Sequence, residues 1–329
     1  MDLLLHIGLG KTGTTTLQQE HFIGLPGYLG RRELFGQRGR GGRLEQVFLA
    51  ARQGQPVDLE AWRSDVLRAF RGAPPDQIVI SQERLVQWTE RGSGFSPIVG
   101  LLSDGGRIRR SGSHPIAAFV RDHVVPAWEP LGRVKVLVTL RNQFDWLCSH
   151  YAQLSNRIIG ASQADFTRQV ERIVRTGDPY LDFASLIDAL RGAVGTDHVT
   201  ALLLEDIGSA QYWETLSALV GQRLPREDRT TKRANQRSSG DGWQLRPYDR
   251  RRYPLRVTLL GQVPSPGRPS MWTVRGLAHP VQSGRVILQR RGTSIRPTEE
   301  LRVAVRSCYR ESNVRLGGIL GRDLAPLGY

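Results

Sequence analysis

The sequence predicts a three-layer α/β/α domain, with a central parallel sheet, helices on both faces and a loop-rich insertion near the C-terminus. Three observations predict it. Short apolar runs of strand length recur along the chain, and longer segments with apolar residues every three to four positions separate them. The first run ends in a glycine-rich turn that opens a helical segment. Strands buried on both faces read as unbroken apolar runs, and their alternation with amphipathic helices is the pattern of a doubly wound sheet.

Taken in order, strands are expected at residues 3–7 (LLLHI), 77–80 (QIVI), 134–140 (VKVLVTL) and 199–204 (VTALLL). Helical periodicity marks 44–52, 59–71, 115–125, 144–156, 166–176 and 183–191, and a last helix closes the chain over roughly 298–320. Segments 36–43 (GQRGRGGR) and 103–113 (SDGGRIRRSGS) read as Gly/Arg-rich loops. The stretch 232–297 is rich in Arg, Pro and Gly, and its VPSPGRPSMW cannot be regular helix. It is read as a partly ordered lid or acceptor-binding insertion that Trp243, Tyr248, Tyr253 and Trp272 help to pack, with a disordered excursion as the alternative. No internal repeat is present, and 329 residues fit one domain spanning 1–329 with that insertion.

Composition narrows the partners. Lys and Arg number 46 against 31 Asp and Glu, a formal charge of +15, so the surface should draw anions such as nucleotides, acidic saccharides, nucleic acid or anionic membranes. No recognisable nucleic-acid motif accompanies the charge, so no nucleic-acid partner is expected, while peripheral contact with an anionic surface stays compatible with it. The two cysteines, Cys148 and Cys308, form no CxxC pair and are read as free thiols. The opening MDLLLHIG lacks a basic leader, and no apolar run reaches the ~18 residues of a membrane span, so a cytoplasmic protein is expected.

The most specific feature follows the first strand, where Gly8 to Thr16 reads GLGKTGTTT. Gly8, Gly10 and Gly13 let backbone approach a phosphate closely. The N–H groups of residues 14–17 are the free donors of a helix N-terminus, whose dipole favours an anion. Thr12, Thr14, Thr15 and Thr16 add hydroxyls, and Lys11 adds a point charge. The cradle is P-loop-like but departs from the Walker form GxxxxGK[ST]. Gly8 and Gly13 keep that spacing, Thr14 stands where the Walker lysine belongs, and the lysine comes earlier, at Lys11.

The segment from His6 to Leu17, HIGLGKTGTTTL, resembles the 5′-phosphosulfate loop of sulfotransferases that use 3′-phosphoadenosine 5′-phosphosulfate (PAPS), and among them the bacterial and Golgi carbohydrate-type members. A second part of that family's signature has its counterpart 130 residues beyond Lys11, where VKVLVTL ends at Arg141 and RNQFDWLCSHY follows. In the family an arginine at this strand end and a serine eight residues later grip the 3′-phosphate, and the resemblance implies that role for Arg141 and Ser149. The chemistry suits it, since a guanidinium is a planar fork matched to phosphate oxygens. Glu205-Asp206-Ile207 resembles the family's E-D-L, with a structural role implied, and residues 309–316 (YRESNVRL) resemble its C-terminal helix. The basic segment 232–239 (KRANQRSS) lies where relatives place a late loop near the 3′-phosphate, implying contacts from Arg233, Asn235 and Ser238. The compact late Gly-rich signature of cytosolic members is absent there.

The resemblance implies sulfuryl transfer from PAPS as donor substrate, with 3′,5′-ADP as product and no metal, to a hydroxyl or amine of an acceptor, with carbohydrate or glycoconjugate favoured. Lys11 is expected to stabilise the leaving oxygen. Glu83, in VISQER after the second strand, is expected to take the acceptor's proton, with His6, His150 and Glu205 as further candidates. Trp146 is read either as stacking on adenine or, as helix-face aromatics more often are, as core. Other readings stay open. They are a P-loop nucleotide kinase or other NTPase with Glu205-Asp206 as magnesium ligands, a polyanion-binding module without catalysis, and a sulfotransferase-like protein that binds cofactor without turnover.

Overall fold

The computed structural model describes residues 1–30, 47, 50–51, 55–70, 72–82, 114–158, 161–224, 242–246 and 294–329. Five parallel strands form the sheet: β1 (Asp2–Gly8), β2 (Tyr28–Leu29), β3 (Gln77–Ser81), β4 (Val134–Leu140) and β5 (Val199–Leu203). Their order is β2-β3-β1-β4-β5. β1 is central, with Leu4 facing Val79 of β3 on one side and Lys135 of β4 on the other. The chain therefore builds outward from β1 in both directions, which makes its C-terminal end the switch point where open α/β sheets collect ligands.

The four expected strands are present within a residue or so of their expected ends. β2 has two residues, too few for a periodic signal, and was not anticipated. Period-two alternation divides the apolar residues between two layers. Leu3, Leu5, Ile7, Ile78, Ile80, Val136, Val138 and Leu140 belong to one buried cluster. Leu4, Val79, Leu137 and Leu202 belong to another, with Leu17, Phe22, Tyr212, Trp213 and Leu216 from the covering helices. The sheet is thus sandwiched, as three layers require.

Among the described residues the α-helices are α1 (Thr14–Thr16), α2 (Leu59–Arg68), α3 (Pro115–Phe119), α4 (Val125–Trp128), α5 (Gln143–Leu154), α6 (Gln163–Thr176), α7 (Phe183–Val194), α8 (Ala210–Val220), α9 (Glu299–Cys308) and α10 (Arg310–Leu320). Side chains of Asp58, Asn142, Ser162, Asp182, Ser209 and Thr298 accept backbone N–H bonds at the starts of α2, α5, α6, α7, α8 and α9. Such caps satisfy donors that a helix cannot pair internally. Three differences from the sequence reading are local. α8 was not anticipated, although Ser209 caps it and Tyr212, Trp213, Leu216 and Val220 give it a buried face at three-to-four spacing. The helix expected at 115–125 runs on to Trp128 through a π-helical turn (Val120–Val124), since Pro126 sits in the first turn of α4 where its missing N–H is tolerated. The closing helix is two, because Tyr309 (φ −105°, ψ 15°) leaves helical geometry between α9 and α10.

Most of the 44–52 helix and the loops 36–43 and 103–113 lie outside the described residues, as does most of 232–297. Its described parts form a short antiparallel ribbon, β6 (Trp243–Gln244) with β7 (Ser294–Ile295). The ribbon joins the core through buried Leu245 and Ile295. It is pinned by Arg246 N–H to Ser155 Oγ at 2.6 Å and Arg296 N–H to Gln163 Oε1 at 2.7 Å.

Phe183 is fully buried in α7, whereas Ile23 is 69 % exposed. Urea unfolding is expected to show Phe183→Ala losing about 3–5 kcal/mol and Ile23→Ala staying within about 0.5 kcal/mol of wild type.

Candidate functional site

The glycine-rich loop leaves β1 at Gly8 and turns into α1, which continues through a π-helical turn (Leu17–His21). A Cβ at Gly8 would overlap Thr139 and Thr14, so only glycine lets strand and helix come this close. Gly13 has φ +81°, the left-handed region. Lys11 has φ 79° and is the only non-glycine residue with positive φ among the described residues. A lysine held there costs of order 1–3 kcal/mol, and such strain persists only where the surroundings over-determine it. Lys11, Gly13, Thr15 and Thr16 are half-buried, so they form the accessible rim of the cradle, while Thr12 and Thr14 are buried beneath it.

A line of hydrogen bonds, buried except at its Gln18 end, supports the loop from below. Gln18 Nε2 donates to Ser81 Oγ at 2.9 Å, and Ser81 Oγ lies 2.7 Å from His6 Nδ1. His6 Nε2 lies 3.2 Å from Thr139 Oγ1, Thr139 Oγ1 lies 2.9 Å from Thr12 Oγ1, and Thr12 donates to the Leu9 carbonyl at 2.6 Å. The Leu9 end fixes the direction. The Leu9 carbonyl only accepts, so Thr12 must donate to it, Thr139 to Thr12, and His6 Nε2–H to Thr139. At the other end the Gln18 amide donates to Ser81, whose own hydroxyl hydrogen is left to donate to His6 Nδ1. A neutral imidazole protonated on Nε2 satisfies every link of the chain. Burial in the sheet pushes the His6 pKa down to about 3, which agrees. His6 also meets Phe22 edge-on, at 5.4 Å between centroids. The Thr12 hydroxyl, read in the sequence as a phosphate donor, is thereby turned inward.

The second half of the site lies beside the first. Gly8 pairs with Thr139 across β1 and β4, so Arg141 leaves the sheet two residues beyond the partner of the loop's first glycine. The Asn142 side chain accepts Asp145 N–H at 2.9 Å and starts α5, and Ser149 is buried two turns along it. Glu205 braces the strand end. Its Oε1 accepts Asn142 N–H at 2.8 Å, and its Oε2 accepts the Tyr329 hydroxyl at 3.3 Å. Burial pushes the Glu205 carboxyl above its ordinary range against the pull of the Asn142 N–H, and burial and Glu205 together push the Tyr329 hydroxyl well up. Asp145 lies 3.8 Å from Arg141 and 3.9 Å from Arg302, so two guanidiniums share one carboxylate. Arg141 also sits 5.2 Å above the Trp243 ring, within cation–π range. Trp146 is fully buried, and its indole N–H donates to the Gly10 carbonyl at 2.7 Å, tying α5 to the loop.

The fold thus brings the loop of Gly10, Lys11, Thr12, Gly13, Thr14, Thr15 and Thr16 beside the strand end that Arg141 leaves, with Ser149 buried on the helix that follows. His150 is packed face to face with Trp146, at 4.5 Å and 16°. β3 ends at this edge too, with Ser81 opposite His6. Glu83, two residues later, lies outside the described residues, as do Arg233, Asn235 and Ser238. The sequence reading missed Ser81, Thr139, Trp243 and Tyr329. Ser81 and Thr139 were detectable as hydroxyls closing otherwise apolar strands at the binding edge. Trp243 and Tyr329 carry no local signal, since only the fold brings them near Arg141. Among the described residues no three His, Cys, Asp or Glu side chains gather as metal ligands, and no helix is long and apolar enough to cross a membrane.

No family model and no curated protein matches the chain. Among solved structures, a sulfotransferase from Alicyclobacillus acidocaldarius aligns over 99% of this chain and 98% of its own, at 15% identity and a TM-score of 0.48.

The neutral His6 has a measurable consequence. An unfolded imidazole protonates below its ordinary 6.5, whereas the folded one stays neutral down to about 3. Unfolding therefore takes up a proton in that window, and stability falls as the pH drops through it. The contribution is at most about 1.4 kcal/mol per pH unit. Urea unfolding between about pH 6 and 4 is expected to give a shallower slope for His6→Gln than for wild type. Equal slopes would mean that the imidazole is charged in the fold.

Proposed function

We propose that this chain transfers a sulfuryl group from PAPS to a hydroxyl or amine of an acceptor, with a carbohydrate or glycoconjugate as the acceptor class. The observation that carries the reading is the adjacency of two anion-directed elements at the switch point. The lysine-bearing loop closes β1, and Arg141 closes the neighbouring β4, with Gly8 and Thr139 in register between them. A donor with phosphate-type groups at both ends of one ribose needs two such elements side by side.

The donor set fits that molecule. Backbone N–H groups from Gly10 to Thr16, with the Lys11 ammonium, suit the 5′-phosphosulfate. Arg141 and Ser149 suit the 3′-phosphate, whose oxygens match the guanidinium fork better than the long contact between Arg141 and Asp145 (3.8 Å) does. Arg233 and Asn235 complete the proposed nucleotide contacts from the late basic segment. In the reaction the acceptor oxygen or nitrogen forms a bond to sulfur as the bond from sulfur to the bridging 5′-phosphate oxygen breaks, in line, and 3′,5′-ADP leaves. Lys11 offsets the charge that develops on that bridging oxygen. Glu83 takes the acceptor's proton.

Calorimetric titration tests the reading with 3′,5′-ADP against ADP and ATP with magnesium. Wild type is expected to prefer 3′,5′-ADP, and Arg141→Ala to lose about tenfold or more for it while leaving ADP unchanged. Preference for ATP with magnesium, or no nucleotide binding by folded protein, would overturn the reading. With PAPS and a saccharide acceptor, Lys11→Ala and Glu83→Gln are each expected to slow turnover by about 100-fold or more. Full turnover in either variant would remove that residue from its role.

A further inference from the structure

We propose that Trp146 is a positioning residue: its indole N–H holds the peptide between Gly10 and Lys11, and so joins the loop that takes the 5′ end of the nucleotide to the helix that takes the 3′ end. The inference rests on the functional reading above.

Trp146 cannot act by touching ligand, because it is fully buried. Its ring is held by two others, stacked on His150 at 4.5 Å and tilted against Tyr180 at 5.6 Å. What it offers the loop is one hydrogen bond to the Gly10 carbonyl, at 2.7 Å on the short side for N–H···O. That carbonyl belongs to the peptide whose nitrogen is Lys11 N, so its direction sets φ of Lys11, the strained value of 79°. The next residue is anchored as well, since the Thr12 hydroxyl is bonded to Leu9 O and Thr139. Lys11 is therefore clamped between two fixed neighbours, which is what a left-handed lysine needs in order to persist.

The other end of the strut is on α5, the helix that follows Arg141. Trp146 lies three residues before Ser149, one helical turn away. The same helix therefore carries a 3′-phosphate group and the brace of the 5′ loop. Removing the N–H frees the Gly10–Lys11 peptide to rotate and relieve the strain, which moves the Lys11 ammonium away from the 5′ group. The Arg141 end keeps its own supports, Asn142 and Glu205, and does not move with it.

The test compares wild type with Trp146→Phe, which keeps an aromatic ring and removes the donor. Both are titrated with adenosine 5′-monophosphate, adenosine 3′-monophosphate and 3′,5′-ADP, alongside melting of the free proteins. The expected result is a loss of about tenfold for the two ligands with a 5′-phosphate and a change within about twofold for the 3′-monophosphate. Unchanged affinity for all three, or an equal loss for all three, would overturn the proposal, because a merely structural tryptophan does not choose between the ends of a ligand. If the variant does not fold, the Trp146 indole N–H resonance of wild type decides instead. It should shift with the 5′-monophosphate and not with the 3′-monophosphate, and the absence of a selective shift overturns the strut. Should wild type prefer ATP, the donor reading fails by itself, and the strut then stands or falls on whether Trp146→Phe weakens ATP.

Discussion

The constraint on which the site depends is the buried hydrogen-bonded chain from Gln18 through Ser81, His6, Thr139 and Thr12 to the Leu9 carbonyl. It crosses three adjacent strands, β3, β1 and β4, at their C-terminal ends. Each link is an ordinary hydrogen bond, but His6, Thr12, Ser81 and Thr139 are buried, so breaking a link among them leaves buried polar sites unsatisfied. Each of those costs about 1–3 kcal/mol. A chain of this kind is therefore all or nothing, and it makes loop and sheet edge a single rigid object. The polar residues that close the apolar strands exist to carry it.

The electrostatic half of the site has its own supports. Glu205 and Tyr329 hold Asn142 from beneath, Asn142 caps α5, and Arg141 projects between Asp145 and Trp243. The acids close to Arg141 are already engaged, Asp145 by two arginines and Glu205 by an N–H and a hydroxyl. The contact of Arg141 with Asp145 is itself long, at 3.8 Å, rather than short and bidentate. Orientation comes from the ring below it and from the capped helix behind it. This is preorganisation of a charge by neighbours that never touch the ligand.

Much of the architecture was legible because burial on both faces leaves a plain record. Leu3 to Leu5 and Val134 to Leu140 could hardly be anything but central strands. The loop was legible for a different reason, since GLGKTGTTT states its backbone needs residue by residue. What was not legible is how its members divide between ligand and support. Four threonines look alike in sequence, yet Thr12 faces inward and Thr15 and Thr16 face outward, a distinction set by the register of Gly8 against Thr139. Trp146 carried two meanings at once, core residue and donor to the loop, and only the Gly10 contact separates them. Tyr329 and Trp243 reach Arg141 from positions about 190 and 100 residues away in the chain, and no local pattern encodes such distances.

Lys11 is where the local and the functional demands disagree. A glycine would adopt its backbone without strain, and Gly10 and Gly13 show that the sequence uses glycine freely on either side. The Walker arrangement avoids the conflict by placing its lysine after the second glycine, at the helix start. Here the lysine comes before it, so the ammonium departs from the loop itself rather than from the helix. That position needs a left-handed residue that also carries charge, and lysine meets the second need at the expense of the first. The loop can keep such a residue only if the peptides before and after it are fixed. The Trp146 bond to Gly10 and the Thr12 bonds to Leu9 and Thr139 fix them, which explains why a short, exposed-looking turn is fastened at two points to the most deeply buried part of the molecule.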